Sequence, residues 1–256
     1  MVARTPRADH PYAVSMPIRR RRYANERVAV LLALGAASFL ACFLELFREL
    51  RYDDAQLRFI LWNLMLAWIP LLLALLVYDR YRAGTPLLGL APWAFLWLLF
   101  LPNAPYTMTD FVHLSAGGPS PLWLDGAVLS TFGWTGMLLG FVSIYLLHAV
   151  VRHRFGVTPS WCFVGAVLAL GSAGVCVGRF LRWNSWDVLV RPGQRLGELS
   201  GHLGDPGAVA RAAVLTLLLT CLLGATYFTF YALVGIRLEP DRRLPATPRR
   251  PHRSRG

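Results

Sequence analysis

Six apolar runs, each close to the length that crosses a bilayer, constrain this chain more than any other feature. A membrane-spanning helix needs about 20 mainly apolar residues, because each adds ~1.5 Å of rise across ~30 Å of hydrocarbon. The runs cover residues 28–47, where Glu45 is the sole charge, then 59–78, 86–101, 122–151, 159–178 and 212–236. Period-2 alternation is absent and the runs are too long for barrel strands. The expected class is therefore an all-α polytopic membrane protein, a bundle of about six transmembrane helices. Composition agrees, with 55% of residues hydrophobic and 16% charged, against ~25% charged in a soluble domain.

Charge is placed to match. Of the 40 charged side chains, 18 lie in residues 1–27 and 237–256, leaving 22 for the 209 residues between. All 26 basic residues are Arg, and the net charge of +12 sits mostly in the two tails. Those tails lack the interleaved aromatics or folded basic module of a nucleic-acid binder, so the expected partner is the lipid bilayer and not nucleic acid. The expected domains are a basic disordered tail over 1–27, a six-helix membrane domain over 28–236 and a second basic disordered tail over 237–256. Positively charged loops are retained in the cytoplasm. With the N-terminus inside, cytoplasmic segments hold 18 Arg and outer segments 8, which predicts both termini in the cytoplasm. The first run continues past Cys42, so it reads as a span and not as a cleaved or lipidated signal. Cys42, Cys162, Cys176 and Cys221 all fall in spans and read as small core hydrophobes, without disulfide or zinc spacing; no cofactor is expected.

Helix starts have their own signal. Thr85-Pro86, Ser120-Pro121, Thr158-Pro159 and Asp205-Pro206 each put a capping oxygen before a proline whose missing N–H would be unpaired anyway. Gly133, Gly136 and Gly140 in the fourth span, and Gly171, Gly174 and Gly178 in the fifth, permit close backbone approach between neighbouring helices.

Polar groups near hydrocarbon are expensive, so their positions are informative. On the predicted topology Glu45, Asn63, Asn103, Asp110, His113, Asp125, Arg179, Arg182, Asn184 and Asp187 gather at the outer level. His148 in the inner half reads as interfacial. Two stretches are dense enough to be motifs: residues 101–114, LPNAPYTMTDFVHL, and residues 178–187, GRFLRWNSWD. These resemble the signature stretches of an uncharacterised bacterial membrane-protein family, domain of unknown function 1361, with the similarity covering roughly residues 28–236. The resemblance implies a polytopic, multi-pass architecture in the inner membrane of a bacterial cell and adds no mechanism.

In the first motif Pro102 and Pro105 predict a helix end followed by a re-entrant or interfacial turn, with Asn103 bonding the freed backbone. Thr107-x-x-Asp110 resembles the start of a short helix that would put Asp110 and His113 on one face. A carboxylate orienting an imidazole begins acid–base or metal chemistry, although a structural Asp–His pair is the plainer reading. In the second motif Arg179 and Arg182, at i and i+3, point the same way, while Trp183 and Trp186 suit the aromatic belt. The guanidiniums need partners, and Asp110, Asp125, Asp187 and Glu45 are the candidates. The alternative is an anion site in which Arg179, Arg182, Asn184, Asn103, Trp183 and Trp186 hold a phosphate or carboxylate on an amphiphile. Glu45, Asn63 and Asp125 read as structural polar partners, Glu45 pairing with Arg48 at i+3 and Asp125 complementing its own helix N-terminus.

Three functions compete. An outward-facing polar cluster can bind or transport an anionic amphiphile or small anion. It can instead be the ion-pair framework of a membrane scaffold or assembly subunit. The third reading is a membrane-embedded metal or acid–base hydrolase using Asp110, His113 and Asp187, with His202 and Asp205 nearby. No His-Glu-x-x-His or Gly-x-Ser-x-Gly motif supports that last one.

Overall fold

A computed structural model of the chain describes residues 16–114, 119–181, 190, 193–194 and 205–235. Its helices are α1 (Met16–Tyr52), α2 (Phe59–Arg82), α3 (Leu87–Phe100), α4 (Asn103–Tyr106), a 3₁₀ helix (Thr107–His113), α5 (Leu122–Phe155), α6 (Val157–Leu181) and α7 (Pro206–Gly235). No strand occurs among the described residues. Six helical stretches are long and apolar enough to cross a membrane, the third formed by α3, α4 and the 3₁₀ helix together. The protein is thus an all-α, multi-pass integral membrane protein. Six crossings leave the start of α1 and the end of α7 at one end of the bundle, here the terminal end; the opposite one is the far end. α1 begins at Met16, inside the stretch expected to be a tail. Arg19 to Arg22 are good helix formers and extend a helix that the apolar run has already nucleated.

The outer helices show their solvent. Phe39, Phe43, Leu46 and Leu50 on α1, and Leu217, Leu218, Leu222 and Leu233 on α7, are each more than half exposed. In water such surface would drive association; in hydrocarbon it is the solvated face. α5 is the central helix and packs against α1, α2, α4, the 3₁₀ helix, α6 and α7. One apolar cluster joins Ala41 of α1 and Leu64 and Leu71 of α2 to Val128 and Phe132 of α5. The other joins Trp97 of α3, Phe141 and Ile144 of α5, Val167 of α6 and Tyr227 of α7.

The proline-broken stretch is a correction to the sequence reading. Instead of turning back, the chain keeps helical dihedrals at Leu101, Pro102, Tyr106 and Thr107. Side chains supply hydrogen bonds to carbonyls where the prolines disturb the ladder: Asn103 Nδ2 donates to Phe100 O (2.9 Å), Thr107 Oγ1 to Ala104 O (2.8 Å) and Thr109 Oγ1 to Tyr106 O (2.7 Å). Thr107 therefore bonds backwards and does not cap a new helix. The glycine faces of α5 and α6 accept this same segment. A Cβ on Gly136 would meet Thr107 Oγ1 and lie 2.8 Å from Ala104 O, one on Gly140 would be 2.9 Å from Ala104 Cβ, and one on Gly174 would be 2.5 Å from Pro102 Cγ. Pro102 to Met108 is wedged into the bundle centre.

Other local expectations also shift. Only Asp205-Pro206 caps as its sequence suggests, with Asp205 Oδ1 accepting from Gly207 N at 2.9 Å. Pro86 and Pro121 themselves stand at the cap positions of α3 and α5, with extended ψ of 151° and 136° and no side-chain cap, while α6 already starts at Val157, before Thr158-Pro159. His148 is buried, not interfacial. Its Nδ1 lies 3.0 Å from Tyr227 Oη and its Nε2 3.2 Å from Ser160 Oγ. Because Ser160 spends its proton on Val157 O, Nε2 is the donor to Ser160, and Nδ1 accepts from Tyr227. Among the cysteines only Cys176 is buried; Cys162 and Cys221 are exposed on the lipid-facing surface and Cys42 is intermediate.

Candidate functional site

At the far end, α2, α3, α4, the 3₁₀ helix and α6 enclose a cavity of about 500 Å³. Its chemistry divides along its length. Asn63, Asn103, Tyr106, Asp110, His113 and Arg179 line the far-end portion, whereas Leu66, Phe95, Leu98, Leu99 and Leu170 line the part deeper in the membrane. Phe95 and Leu170 are 59% and 56% exposed although they line the cavity, so the apolar part opens sideways toward lipid. From Leu170 to Arg179 the cavity follows about 13 Å of α6, close to one leaflet's share of ~30 Å of hydrocarbon.

Local structure brings the polar groups together. Asp110 and His113, three residues apart in the 3₁₀ helix, lie on one side of it, and Tyr106 at the end of α4 lines the same cavity. Asp110 is 1% exposed; Asn63 Nδ2 donates to its Oδ2 at 2.9 Å and Arg179 Nη2 to its Oδ1 at 3.2 Å. The same Nη2 donates to Thr109 Oγ1 at 2.7 Å, and the guanidinium lies over the Tyr106 ring, 4.7 Å from its centroid. Arg179 Nε is buried and, among the described residues, without a hydrogen-bond partner. The structure thus brings Arg179, Asp110 and Asn63 together, with Asn103 and His113 on the same cavity wall. It does not join Asp110 to His113: the carboxylate is taken by Asn63 and Arg179, and the imidazole instead packs edge-on against Phe59 with centroids 4.7 Å apart. Among the described residues no three His, Cys, Asp or Glu side chains converge as metal ligands. Arg182, Trp183, Asn184, Trp186, Asp187 and His202 lie outside the described residues.

A second polar cluster sits at the far end between α1 and α5. Arg48, 2% exposed, donates from Nε to Asp125 Oδ1 (2.5 Å), from Nη2 to Asp54 Oδ2 (2.5 Å) and from Nη1 to Asp54 O (3.0 Å). Ser120 Oγ adds a bond to Asp125 at 2.6 Å. Glu45, also fully buried, is 3.7 Å from Arg48 Nη1, and among the described residues neither of its oxygens has a hydrogen-bond partner. Asp125 therefore serves Arg48 across the bundle in addition to standing in the first turn of its own helix, and neither Asp125 nor Glu45 is ion-paired with Arg179.

Sequence reasoning passed over Tyr106 and Thr109 as partners of Arg179, and Asp54 as a partner of Arg48. The i, i+4, i+7 spacing of Tyr106, Asp110 and His113 was the available signal for the first. Asp54 sits in a short connection and carries no periodic signal.

Neither a curated protein nor a solved structure matches the chain. A family model described as a protein of unknown function, DUF1361, matches residues 62–226. That span leaves out α1 but holds Asn63, Asp110 and Arg179, both motifs, and the glycines that seat Pro102 to Met108. Since it covers well over half of the sequence, the chain belongs to the DUF1361 family of proteins of unknown function.

Proposed function

We propose that this protein binds an amphiphile with an anionic head, the head at Arg179 and the chain in the apolar part of the cavity. The carrying observation is a half-buried guanidinium whose Nε is buried and, among the described residues, unpartnered, at the polar end of a cavity whose other end opens to lipid. Asp110 engages only one terminal nitrogen of Arg179, and Asn63 holds that carboxylate from the other side. The pair orients the guanidinium and leaves Nε and Nη1 to donate charge-assisted bonds to a carboxylate or phosphate oxygen. The depth of the cavity along α6 suits a chain lying in one leaflet. On the charge distribution of the loops, both termini are cytoplasmic, the membrane is the bacterial inner membrane, and the cavity faces its outer leaflet. The closed Arg48 cluster fixes α1 against α5 and serves the bundle itself.

The test pairs two variants. Arg179→Gln should remove the co-purified anionic amphiphile detected by mass spectrometry, and it should also lower stability because Asp110 loses its cation. Arg179→Gln combined with Asp110→Asn removes both charges and should recover stability while the amphiphile stays absent. An amphiphile retained by the folded double variant would overturn the proposal.

A further inference from the structure

At the terminal end, a separate groove of about 840 Å³ lies between the α2–α3 turn and the end of α5. Two helix ends form it. Gly84, at φ 87°, stops α2 and turns the chain into α3, and Gly156, at φ 95°, stops α5; both adopt the left-handed region that glycine enters without strain. Each helix carries arginines in its last turn. Arg82 and Arg154 line the groove with His153, Tyr78, Tyr81 and Thr85, and among the described residues no acidic side chain lines it. Tyr81 Oη and His153 Nδ1, 2.7 Å apart, tie the two helix ends together. Asp79, in the same turn of α2, is occupied by Arg27 through two hydrogen bonds of 2.7 and 2.8 Å, so it is directed away from this cationic surface. Aromatic rings back the arginines, with Arg82 over Tyr78 and Arg154 over Phe155 at 5.9 and 5.4 Å. Arg80 rests over Trp93 at 4.8 Å at the same level, as expected at a membrane–water interface.

We propose that this groove seats the phosphate of an anionic phospholipid from the leaflet at the terminal end. Two guanidiniums offer forked donors to phosphate oxygens, the aromatic rings suit the headgroup level, and Leu87 and Val150 continue the groove with apolar surface. The site differs from the Arg179 cavity in residues and in membrane face, so either can fail without the other.

The test is native mass spectrometry of the full chain, released from nanodiscs of phosphatidylcholine doped with phosphatidylglycerol. In the Arg179→Gln/Asp110→Asn background, which empties the far-end cavity, the protein should retain one phosphatidylglycerol that the added Arg82→Gln/Arg154→Gln pair removes. Titration should show weakening of roughly fivefold for each arginine removed. Both tails stay intact in these variants, so attraction by their arginines cannot account for the difference. Should the protein with the added pair fail to fold, Arg154→Gln alone in the same background, a change at an exposed side chain, must show the single-arginine loss. Equal retention with and without the Arg82→Gln/Arg154→Gln pair, equal retention of phosphatidylcholine, or saturable binding of inorganic phosphate that displaces the lipid would each overturn the proposal.

Discussion

Replacing Arg48 by Met should unfold the far end of the bundle more than any other single polar substitution there. Arg48 donates two short hydrogen bonds to carboxylates and a third to a carbonyl, and Glu45 lies 3.7 Å away. Hydrogen bonds to charged partners contribute ~1.5–3 kcal/mol each, so the two to Asp54 and Asp125 alone set a scale of ~3–6 kcal/mol. The cost of leaving a buried charge without its partner, ~3–5 kcal/mol, has the same size. Glu45→Gln should behave differently. Its oxygens make no hydrogen bond, and three acids share one cation, so neutralising it relieves repulsion among them; the expected change is within about 1 kcal/mol. Unfolding of the three proteins in one detergent, followed by tryptophan fluorescence against temperature and denaturant, measures the contrast. Equal losses for Arg48→Met and Glu45→Gln, or an unchanged Arg48→Met protein, would refute the assignment of Arg48 as the shared partner.

Gly136→Ala should destabilise by ~1–3 kcal/mol through overpacking, because the added Cβ meets Thr107 and the Ala104 carbonyl; Gly165→Ala in α6, with nothing within 4 Å, should be neutral or stabilise by up to ~1 kcal/mol. The same unfolding assay compares them. Reporter fusions after Arg82, after Arg154 and at the C-terminus should all give cytoplasmic signals, with outer-side signals near Ala116 and Leu199. An outer-side C-terminus would reverse the proposed orientation.

The six spans were legible because hydrocarbon imposes one simple demand, a long enough apolar run, and residues 28–236 satisfy it six times. Which surfaces meet was much less legible. Gly136 and Gly140 announce that a backbone comes close, but small side chains carry no information about whose backbone it is; the neighbour proves to be Ala104 to Thr107. Pro102 and Pro105 signalled a break in the helix ladder, yet Asn103, Thr107 and Thr109 supply enough side-chain donors for the chain to continue. Asp110 and Arg179, about 70 residues apart, were foreseeable as partners only on the energetic ground that neither charge could stay alone near lipid. The same ground did not distinguish Asp110 from Asp125, because that choice depends on where α1 and α6 each pack against α5. The apolar half of the cavity left no mark, since Phe95, Leu98 and Leu170 look like any other span residues until the lateral opening is seen.

Photo-crosslinking with a diazirine-bearing fatty acid tests the amphiphile site most directly. Protein in nanodiscs is irradiated with the probe and the labelled peptides are mapped. Labels concentrated on Leu66, Leu98, Leu99 and Leu170, competed by unlabelled fatty acid and lost in the folded Arg179→Gln/Asp110→Asn variant, are the predicted result. Labels spread evenly over the lipid-facing residues of α1 and α7, unchanged by competitor or by the variant, would contradict it.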